Sequence, residues 1–434
     1  MANYEKYKTK PIDCWQKGKE LGAAYQQYPS TIKEQGKVLG MGLANVSNSI
    51  PAAFEDCEFI DYGIYAPTLA TGKDIATQYM EAVGARGFSS NVCHFTQLIW
   101  GAIFLDRFPF GDFWPDFWLQ FHCCESQGKG AQIGGEHSGI PFFCIDIPII
   151  ERHKSKEFHL DYLISQLNDA IEWIEKVTGK KCIDQKLIES VQNEFRAASL
   201  SAKILLLNKT IPAPLSSLTL NALCGPLVLY WKHKKETVEF LQILYDEVQD
   251  RVQNHIAALA TERCRLFHEG LPPFSFMRRL FRYVETYGAL FVGSDSEFSS
   301  SGGFRREDGK PWQAIENLEE RGIKLNNREE ALQAIAQYLL DHAIVSNCHV
   351  SENVEDVVQR ADDWSVDGVI FHRDCGCQLY PTSMLEAKLA LREKDIPSMV
   401  YEGSMVNPND VVESDIINLL DTFLQALGLS QLED

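Results

Sequence analysis

Three groups of cysteines stand where predicted strands or loops end, and thiolates at such positions could hold a metal ion or an iron–sulfur cluster. Soft, electron-rich sulfur is the ligand that iron–sulfur clusters require. The groups are Cys93, the pair Cys123-Cys124, and Cys375-Gly376-Cys377. Because adjacent cysteines cannot easily bind one ion together, we expect a single thiol from each pair to be used. The sequence therefore predicts a centre with three thiolate ligands from three distant turns.

Spacing alone leaves other interpretations open. No C-x₂-C-x₂-C run occurs, and Cys375 and Cys377 form only a C-x-C motif. A zinc site made by these two cysteines and a histidine is one alternative, and plain buried thiols are another. For five isolated cysteines we predict the role of small buried hydrophobic residues: Cys14, Cys57, Cys182, Cys224 and Cys264.

Each cysteine group has a predicted element that positions it. Residues 366–373 and 398–402 predict two strands around a helix at 382–393, and ligands of open α/β sheets bind beyond the carboxyl ends of strands. Cys93 is predicted to precede an apolar helix at 98–105, whose positive end would lower the pKa of the thiol.

Cys123-Cys124 follows an aromatic run, 108–121, and precedes a Gly-rich loop. We favour a core or subunit-interface role for the aromatic run over a substrate wall.

The remaining chain predicts an α/β fold with two flavodoxin- or Rossmann-like parallel-sheet domains. We expect an N-terminal helical segment (1–36), a first α/β domain (37–158), a helical linker (159–260) and a second α/β domain (261–434). Four further expectations concern local structure: a helix at 10–28 ending near Pro29, a helix from Ser49 to about Glu58, a flexible loop at 298–306, and helices at 327–345 and 353–363.

Composition limits the classes of function. The chain has 434 residues and a formal net charge of −19, which argues against nucleic-acid binding by phosphate neutralisation. No apolar run is long enough to span a membrane, and the first residues lack a signal-peptide pattern, so we expect a cytoplasmic location. No G-x-x-x-x-G-K-[ST] motif occurs, so ATP hydrolysis by that route is not expected.

The cysteine contexts resemble those of the 2-hydroxyacyl-CoA dehydratase and benzoyl-CoA reductase family, and most closely the larger cluster-bearing subunit of ATP-dependent benzoyl-CoA reductases. Asn91-Val92-Cys93, His122-Cys123-Cys124 and the 372–377 motif fall where that family places its cluster cysteines. The likeness is strongest at 171–180, 245–252 and 281–289.

The resemblance implies a [4Fe-4S] cluster held by three cysteines. It also implies pairing with a homologous cluster-bearing subunit and a separate ATPase, with its own [4Fe-4S] cluster, that feeds in low-potential electrons from ferredoxin. ATP would be used by that partner and not by this chain. The implied reaction is the two-electron reduction of an aromatic acyl-CoA to a cyclic dienoyl-CoA. The alternatives are a radical 2-hydroxyacyl-CoA dehydratase subunit and a non-catalytic electron-transfer subunit.

By the same resemblance Cys93, Cys124 and Cys377 are the cluster ligands, with Cys123 and Cys375 as alternates. His94, His122 and His372 adjoin or approach the ligands and are weak proton-donor candidates, although a positioning hydrogen bond is the favoured role. Weak candidates to bind the CoA phosphates are Lys129, Arg305 and Arg306.

Overall fold

Two four-stranded sheets, both entirely parallel, form the framework of the molecule. The structure is a computed structural model and describes residues 6–43, 47–109, 111, 114–150, 154, 156–307, 309–341 and 350–433. Most strands of the two sheets are short apolar runs that are almost fully buried, as sheets covered by helices on both faces require. The strands are β1 (Lys8–Thr9), β2 (Val38–Gly42), β3 (Cys57–Asp61), β4 (Phe117–His122), β5 (Phe142–Asp146), β6 (Ile256–Ala257), β7 (Cys264–Glu269), β8 (Ala289–Ser294), β9 (Phe304–Arg305), β10 (Gln313–Ala314), β11 (Gly368–Asp374) and β12 (Ser398–Gly403).

Helices cover the sheets and connect the two halves. Short 3₁₀ helices occur at Tyr62–Tyr65, Tyr380–Ser383 and Pro408–Asp410. The α-helices of the described residues are α1 (Trp15–Glu34), α2 (Ser49–Ala52), α3 (Ala66–Thr71), α4 (Lys73–Gly84), α5 (His94–Phe104), α6 (Glu125–Ser138), α7 (Glu157–Thr178), α8 (Asp184–Leu207), α9 (Ser217–Leu223), α10 (Gly225–Tyr230), α11 (Lys235–Gln253), α12 (Met277–Glu285), α13 (Asp295–Ser301), α14 (Arg328–Asp341), α15 (Val350–Asp363), α16 (Met384–Glu393) and α17 (Glu413–Ala426). None of them is both long enough and apolar enough to cross a membrane.

The two sheets repeat one strand order. The first sheet runs β3-β2-β4-β5 and the second β12-β11-β7-β8. Numbered along the chain within each half, both orders are 2-1-3-4, which is the start of the flavodoxin-like arrangement. The predicted α/β class is therefore confirmed. In this arrangement ligands bind where the order reverses, between the first and third strands of each sheet.

Cysteine groups follow the third strand of each half. Cys123-Cys124 comes directly after β4, and Cys375 directly after β11. Both groups therefore stand at the reversal point of their sheet, where an α/β fold leaves room for a ligand. Cys93 lies in the connection between β3 and β4, immediately before α5.

The helices between the sheets pack on both halves. The predicted helical region is present as α7 to α11, and α8 packs on α2, α13 and α14. Leu332 and Leu339 of α14 belong to the hydrophobic core that also contains Phe117 of the first sheet. The chain thus returns to the first half after β8, so contacts across the halves are extensive. The predicted domain boundaries stay predictions.

Several local expectations were wrong. The N-terminal helix continues past Pro29 to Glu34, because Tyr25, Pro29 and Ile32 are buried together and packing outweighs the missing backbone donor. The helix predicted from Ser49 ends at Ala52, and Cys57–Asp61 instead pairs with β2 as a strand. Residues 298–301 of the predicted flexible loop belong to α13, which a capping box at Ser294 and Glu297 begins.

The Gly-rich segment after Cys124 is a helix, α6, and not a loop. Its glycines allow neighbouring elements to approach closely: a Cβ on Gly130 would lie 3.0 Å from Thr96 Cγ2, and one on Gly135 2.6 Å from a Phe142 ring carbon. Tertiary packing therefore outweighs the poor helix propensity of glycine here.

Other local predictions agree with the structure. The five isolated cysteines predicted to be structural are all buried. Phe108, Phe117 and Trp118 of the aromatic run are also buried, which confirms the core role for these positions. Phe110 and Phe113 of that run lie outside the described residues, as do residues 342–345 of the predicted helix 327–345.

Candidate functional site

Cys93 is half-buried at the amino terminus of α5. Burial raises the pKa of its thiol, hydrogen bonds from the backbone and hydroxyl of Thr96 lower it, and the Asp374 carboxylate raises it again. The net effect is a raised pKa, so the predicted lowering was wrong: desolvation outweighs the favourable helix end. A thiolate at this position therefore needs a nearby positive centre to be stable.

Asp374, the last residue of β11, shapes the turn that carries the third cysteine group. Its Oδ1 accepts a hydrogen bond from the Gly376 backbone N–H at 2.7 Å. Cys375 is exposed, and its thiol donates to the Gly403 carbonyl oxygen at 2.9 Å. Cys377 is half-buried, and burial raises its pKa to about 12, with the charge of Cys93 contributing. The thiols of Cys93 and Cys377, from different halves, therefore lie within range of each other's charge.

The two halves touch at Gly376 and His94, next to these thiols. A Cβ built on Gly376 would lie 2.8 Å from both the backbone nitrogen and Cγ of His94. Only glycine fits at such a distance. The turn that carries Cys377 therefore packs directly on the first residue of α5, beside Cys93.

Cys124 stands at the start of α6, whose first turn contacts Thr96 of α5. Cys123 belongs to a hydrophobic core, whereas Cys124 is half-buried and immediately precedes α6. Thr96, in the first turn of α5 after Cys93, donates its hydroxyl proton to the carbonyl oxygen of Ser126, in the first turn of α6, at 3.4 Å. This arrangement favours Cys124 over Cys123, and Cys377 over the exposed Cys375, as ligands.

The three predicted histidines differ in their surroundings. His94 is buried with both ring nitrogens hydrogen-bonded, Nδ1 to Ser404 Oγ at 2.7 Å and Nε2 to the Ser90 carbonyl oxygen at 2.8 Å. His372 is fully buried, donates from Nδ1 to the Leu271 carbonyl oxygen, and has a pKa lowered by burial. These contacts support positioning roles for both residues.

His122 is the most accessible of the three. Its side chain is 29% exposed, its Nδ1 lies 2.9 Å from Asp146 Oδ1, and its Nε2 lies 3.7 Å from Glu125 Oε2. It stands one residue before Cys123, at the end of β4. Among these histidines, His122 is therefore best placed to exchange a proton with solvent.

A cavity of about 310 Å³ contains the predicted anion-binding arginines. Arg305 and Arg306 both line it, together with aromatic walls from Phe195, Trp312 and Tyr338. Arg306 is buried and bonded to Asp356 at 2.9 Å and Glu355 at 3.2 Å, whereas Arg305 is exposed. Arg305 is therefore better suited than Arg306 to bind a ligand phosphate.

Lys129 is not among the residues that line this cavity. It projects from α6 and donates to Gln132 Oε1 at 2.5 Å in an exposed pair. The structure thus does not bring Lys129 to the arginines, and its predicted phosphate contact remains untested.

Within the described ranges, no three His, Cys, Asp or Glu side chains are grouped closely enough to hold a single metal ion. The turns of Cys93 and Cys377 are instead in contact at Gly376 and His94, and the first turn of α6 reaches Thr96. Thiolates that bind different irons of a cluster lie further apart than the ligands of one ion. Three cysteine thiols on separate turns are therefore a donor set that a cluster can use.

Sequence reasoning missed the residues that hold the cysteine turns in place. Asp374 could have been found, since Asp two residues before Gly is typical of an Asx turn. Thr96 is one helical turn from Cys93 and could have been inferred from that spacing. Ser404 gave no local signal, because its partner His94 lies in the other half of the chain.

Comparisons with known proteins agree on one family. The family model described as 2-hydroxyglutaryl-CoA dehydratase, D-component, matches residues 63–427. The chain is 22% identical over 413 residues to the (R)-phenyllactyl-CoA dehydratase alpha subunit of Clostridium sporogenes, covering 91% of this chain and 90% of that protein. It is 20% identical over 395 residues to the (R)-2-hydroxyisocaproyl-CoA dehydratase alpha subunit of Clostridioides difficile, covering 88% and 89%.

A third relative is matched over a shorter part. The chain is 23% identical over 299 residues to the (R)-2-hydroxyglutaryl-CoA dehydratase alpha subunit of Acidaminococcus fermentans. The match covers 68% of this chain but only 57% of that protein, so the chain spans little more than half of this relative's length. Because the family model matches well over half of the sequence, the chain belongs to the 2-hydroxyacyl-CoA dehydratase family.

Proposed function

We propose that this chain is the cluster-holding alpha-type subunit of a 2-hydroxyacyl-CoA dehydratase, a lyase that removes water from a 2-hydroxyacyl-CoA. The family model and all three relatives named above carry dehydratase names. They favour the alternative prediction and give no support to the main one, a benzoyl-CoA reductase. The structural observation that carries the proposal is the direct contact of the Cys377 turn, at Gly376, with His94, the residue after Cys93, from the opposite half.

Cys93, Cys124 and Cys377 are the residues that would hold a [4Fe-4S] cluster. Burial raises the pKa of Cys93 and of Cys377, and the charge of Cys93 raises the pKa of Cys377 further. A positively charged iron centre offsets the cost of two nearby thiolates in a half-buried site. When bound, such a cluster supplies single electrons at low potential.

The chain's own residues would orient the ligands, exclude water and move protons. Thr96 acts to lower the pKa of the Cys93 thiol against the effect of burial, and Asp374 fixes the turn that carries Cys377. His122, partly exposed and held by Asp146, would carry a proton between solvent and the site. Excluding water from the rest of the site strengthens the electrostatic interactions there.

The cavity at Arg305 is the proposed place for part of the CoA thioester. Its aromatic walls suit an apolar acyl or adenine group, and the exposed Arg305 guanidinium suits a phosphate.

The proposed partners follow from the family. They are a homologous cluster-bearing subunit and an ATP-hydrolysing activator with its own [4Fe-4S] cluster, supplied with electrons by ferredoxin. Relatives of this chain are named as alpha subunits, which supports a multi-subunit assembly.

Iron and acid-labile sulfide in the anaerobically purified complex test the cluster assignment. Cys93→Ala, Cys124→Ala and Cys377→Ala are each expected to lose most of the iron, because each removes a ligand. Cys123→Ala and Cys375→Ala are the matched controls and should retain it. Full iron in Cys93→Ala would contradict the assignment.

ATP consumption separates the two reactions. A dehydratase that recycles its electron should form many products for each ATP hydrolysed, with a 2-hydroxyacyl-CoA as substrate. A reductase should consume ATP in every turnover and accept an aromatic acyl-CoA without a hydroxyl. ATP spent in fixed proportion to product would overturn the dehydratase proposal.

A further inference from the structure

Residues 403–407, which we name the crossing segment, leave the second sheet and enter the core of the first half. The segment follows strand β12. Met405 and Val406 are buried in the hydrophobic core that contains Met41 of the first sheet. The Met405 carbonyl oxygen also accepts a hydrogen bond from the Phe274 N–H at 3.0 Å. The crossing segment is therefore a fixed connection between the halves.

Ser404, fully buried in this segment, reaches the helix that begins beside Cys93. Its Oγ accepts hydrogen bonds from the N–H groups of Val406 at 3.3 Å and Asn407 at 3.0 Å. The same oxygen lies 2.7 Å from His94 Nδ1. With two donors already at its oxygen, the hydroxyl is free to donate its own proton to His94.

The tautomer of His94 follows from its other contact. Its Nε2 lies 2.8 Å from the carbonyl oxygen of Ser90, which can only accept, so Nε2 carries a hydrogen. Nδ1 of the neutral ring is then the acceptor for Ser404. The Asp410 carboxylate lies 3.7 Å from Nδ1, outside hydrogen-bond distance.

Asp374 joins the crossing segment to the other cysteine turn. Its Oδ1 accepts from the Gly376 N–H at 2.7 Å, and its Oδ2 accepts from the Met405 N–H at 2.6 Å. A continuous set of hydrogen bonds thus runs from the Cys377 turn through Asp374 and the crossing segment to His94, beside Cys93. Each member is buried, so little water competes for these bonds.

We propose that Ser404 is a positioning residue that sets the separation of the Cys93 and Cys377 thiols, by tying α5 to the turn after β11. The inference that this separation serves a cluster rests on the proposed function. The positioning itself does not, because it concerns two thiols of the protein alone.

The test measures cross-linking of the two thiols in the full-length protein after iron has been removed. Dibromobimane becomes fluorescent only when it joins two nearby thiols, and mass spectrometry of the peptides identifies the pair. Ser404→Ala should lower the rate of Cys93–Cys377 cross-linking about tenfold, the effect of losing one buried hydrogen bond. Ser404→Thr keeps the hydroxyl and should restore the rate, and Ser414→Ala on the exposed start of α17 is the matched control.

A second variant keeps the test possible if the first one does not fold. Should Ser404→Ala fail to fold, His94→Leu removes the same hydrogen bond from the other side and should give the same loss. In preparations reconstituted with iron and sulfide, Ser404→Ala should shift the reduction potential relative to wild type, and Ser404→Thr should not.

The outcomes separate the two proposals. Absence of the Cys93–Cys377 pair in the wild type, or equal rates in wild type and Ser404→Ala, would overturn the positioning role. If the wild type binds no iron but its cross-linking depends on Ser404, the positioning role stands and the proposed function fails.

Discussion

Gly376 lies directly against His94, and this contact between the two halves fixes how closely their cysteines approach. A Cβ on Gly376 would lie 2.8 Å from the His94 backbone nitrogen and 3.0 Å from its ring Cδ2. The contact is made by rigid groups: the nitrogen belongs to the first residue of α5, and the ring is hydrogen-bonded at both nitrogens. Neither can move aside without displacing Cys93 or the crossing segment.

Gly376→Ala should therefore separate the Cys377 turn from α5. We expect a loss of about 1–3 kcal/mol in unfolding free energy, because an added methyl in a packed contact forces the backbone to shift. Iron content after reconstitution should fall well below that of wild type. Gly22→Ala in α1 is the control: a Cβ there meets nothing within 4 Å. Unchanged stability and iron in Gly376→Ala would show that the contact does not set the site.

Because His268 is buried, we expect the free energy of unfolding to fall as the pH is lowered. Burial, helped by the charge of His372, lowers its pKa to about 3, and its Nε2 lies 2.8 Å from the Tyr401 hydroxyl. Since the folded pKa lies below the unfolded value of 6.5, this stabilisation is complete above about pH 6.5 and is lost as pH falls toward 3. At pH 5 the loss should be about 2 kcal/mol.

Urea unfolding at pH 7.5, 6 and 5 checks this expectation. His268→Gln cannot titrate, so its stability should fall less than that of wild type across the series. His137→Gln, at an exposed position near the end of α6, is the control and should follow wild type. Parallel curves for His268→Gln and wild type would contradict a neutral buried ring.

Arg360 and Glu269 form a buried ion pair at the carboxyl end of β7. Arg360 Nε and Nη2 donate to the two carboxylate oxygens of Glu269 at 3.1 and 2.9 Å. Burial raises the pKa of Glu269 to about 7 although Arg360 lowers it. Arg360→Met should cost about 3–5 kcal/mol, because it leaves a buried carboxylate without its cation.

The double variant Arg360→Met/Glu269→Gln should recover part of that loss in chemical unfolding, since one of the two buried carboxylates that pair with Arg360 is removed, while Asp295, 3.5 Å from Arg360 Nη2, remains. An additive effect of the two substitutions would mean that the pair is not energetically coupled.

Arg305 and Arg306 should behave differently although they are adjacent. Arg305→Ala should weaken binding of a CoA thioester about tenfold, the effect of one charge-assisted hydrogen bond, with little change in Tm. Arg306→Ala should lower Tm, because it removes the 2.9 Å ion pair between the buried Arg306 and Asp356 side chains. Calorimetric binding and thermal unfolding of both variants provide the measurements. Normal binding by Arg305→Ala would remove this arginine from the substrate site.

Periodic and local features of the sequence were enough to predict the α/β class, the long helices α7, α8 and α11, and the strands of the βαβ unit that contains β11. Apolar patterns of this kind show which face of an element is buried, whichever neighbouring element covers that face. Short elements were predicted less well. Cys57–Asp61 became a strand because β2 pairs with it, and α6 became a helix because its glycines pack against α5 and β5.

The sequence by itself was enough to predict thiolate ligands and the three turns that carry them, since residue type and element ends are local properties. Only the tertiary structure decided which thiols approach each other. Cys123 turns into the core and Cys375 to the surface, whereas the turns that carry Cys93 and Cys377 are in contact across the two halves. That outcome depends on contacts between residues far apart in the chain, such as Ser404 with His94 and Asp374 with Met405, and no spacing along the sequence encodes them.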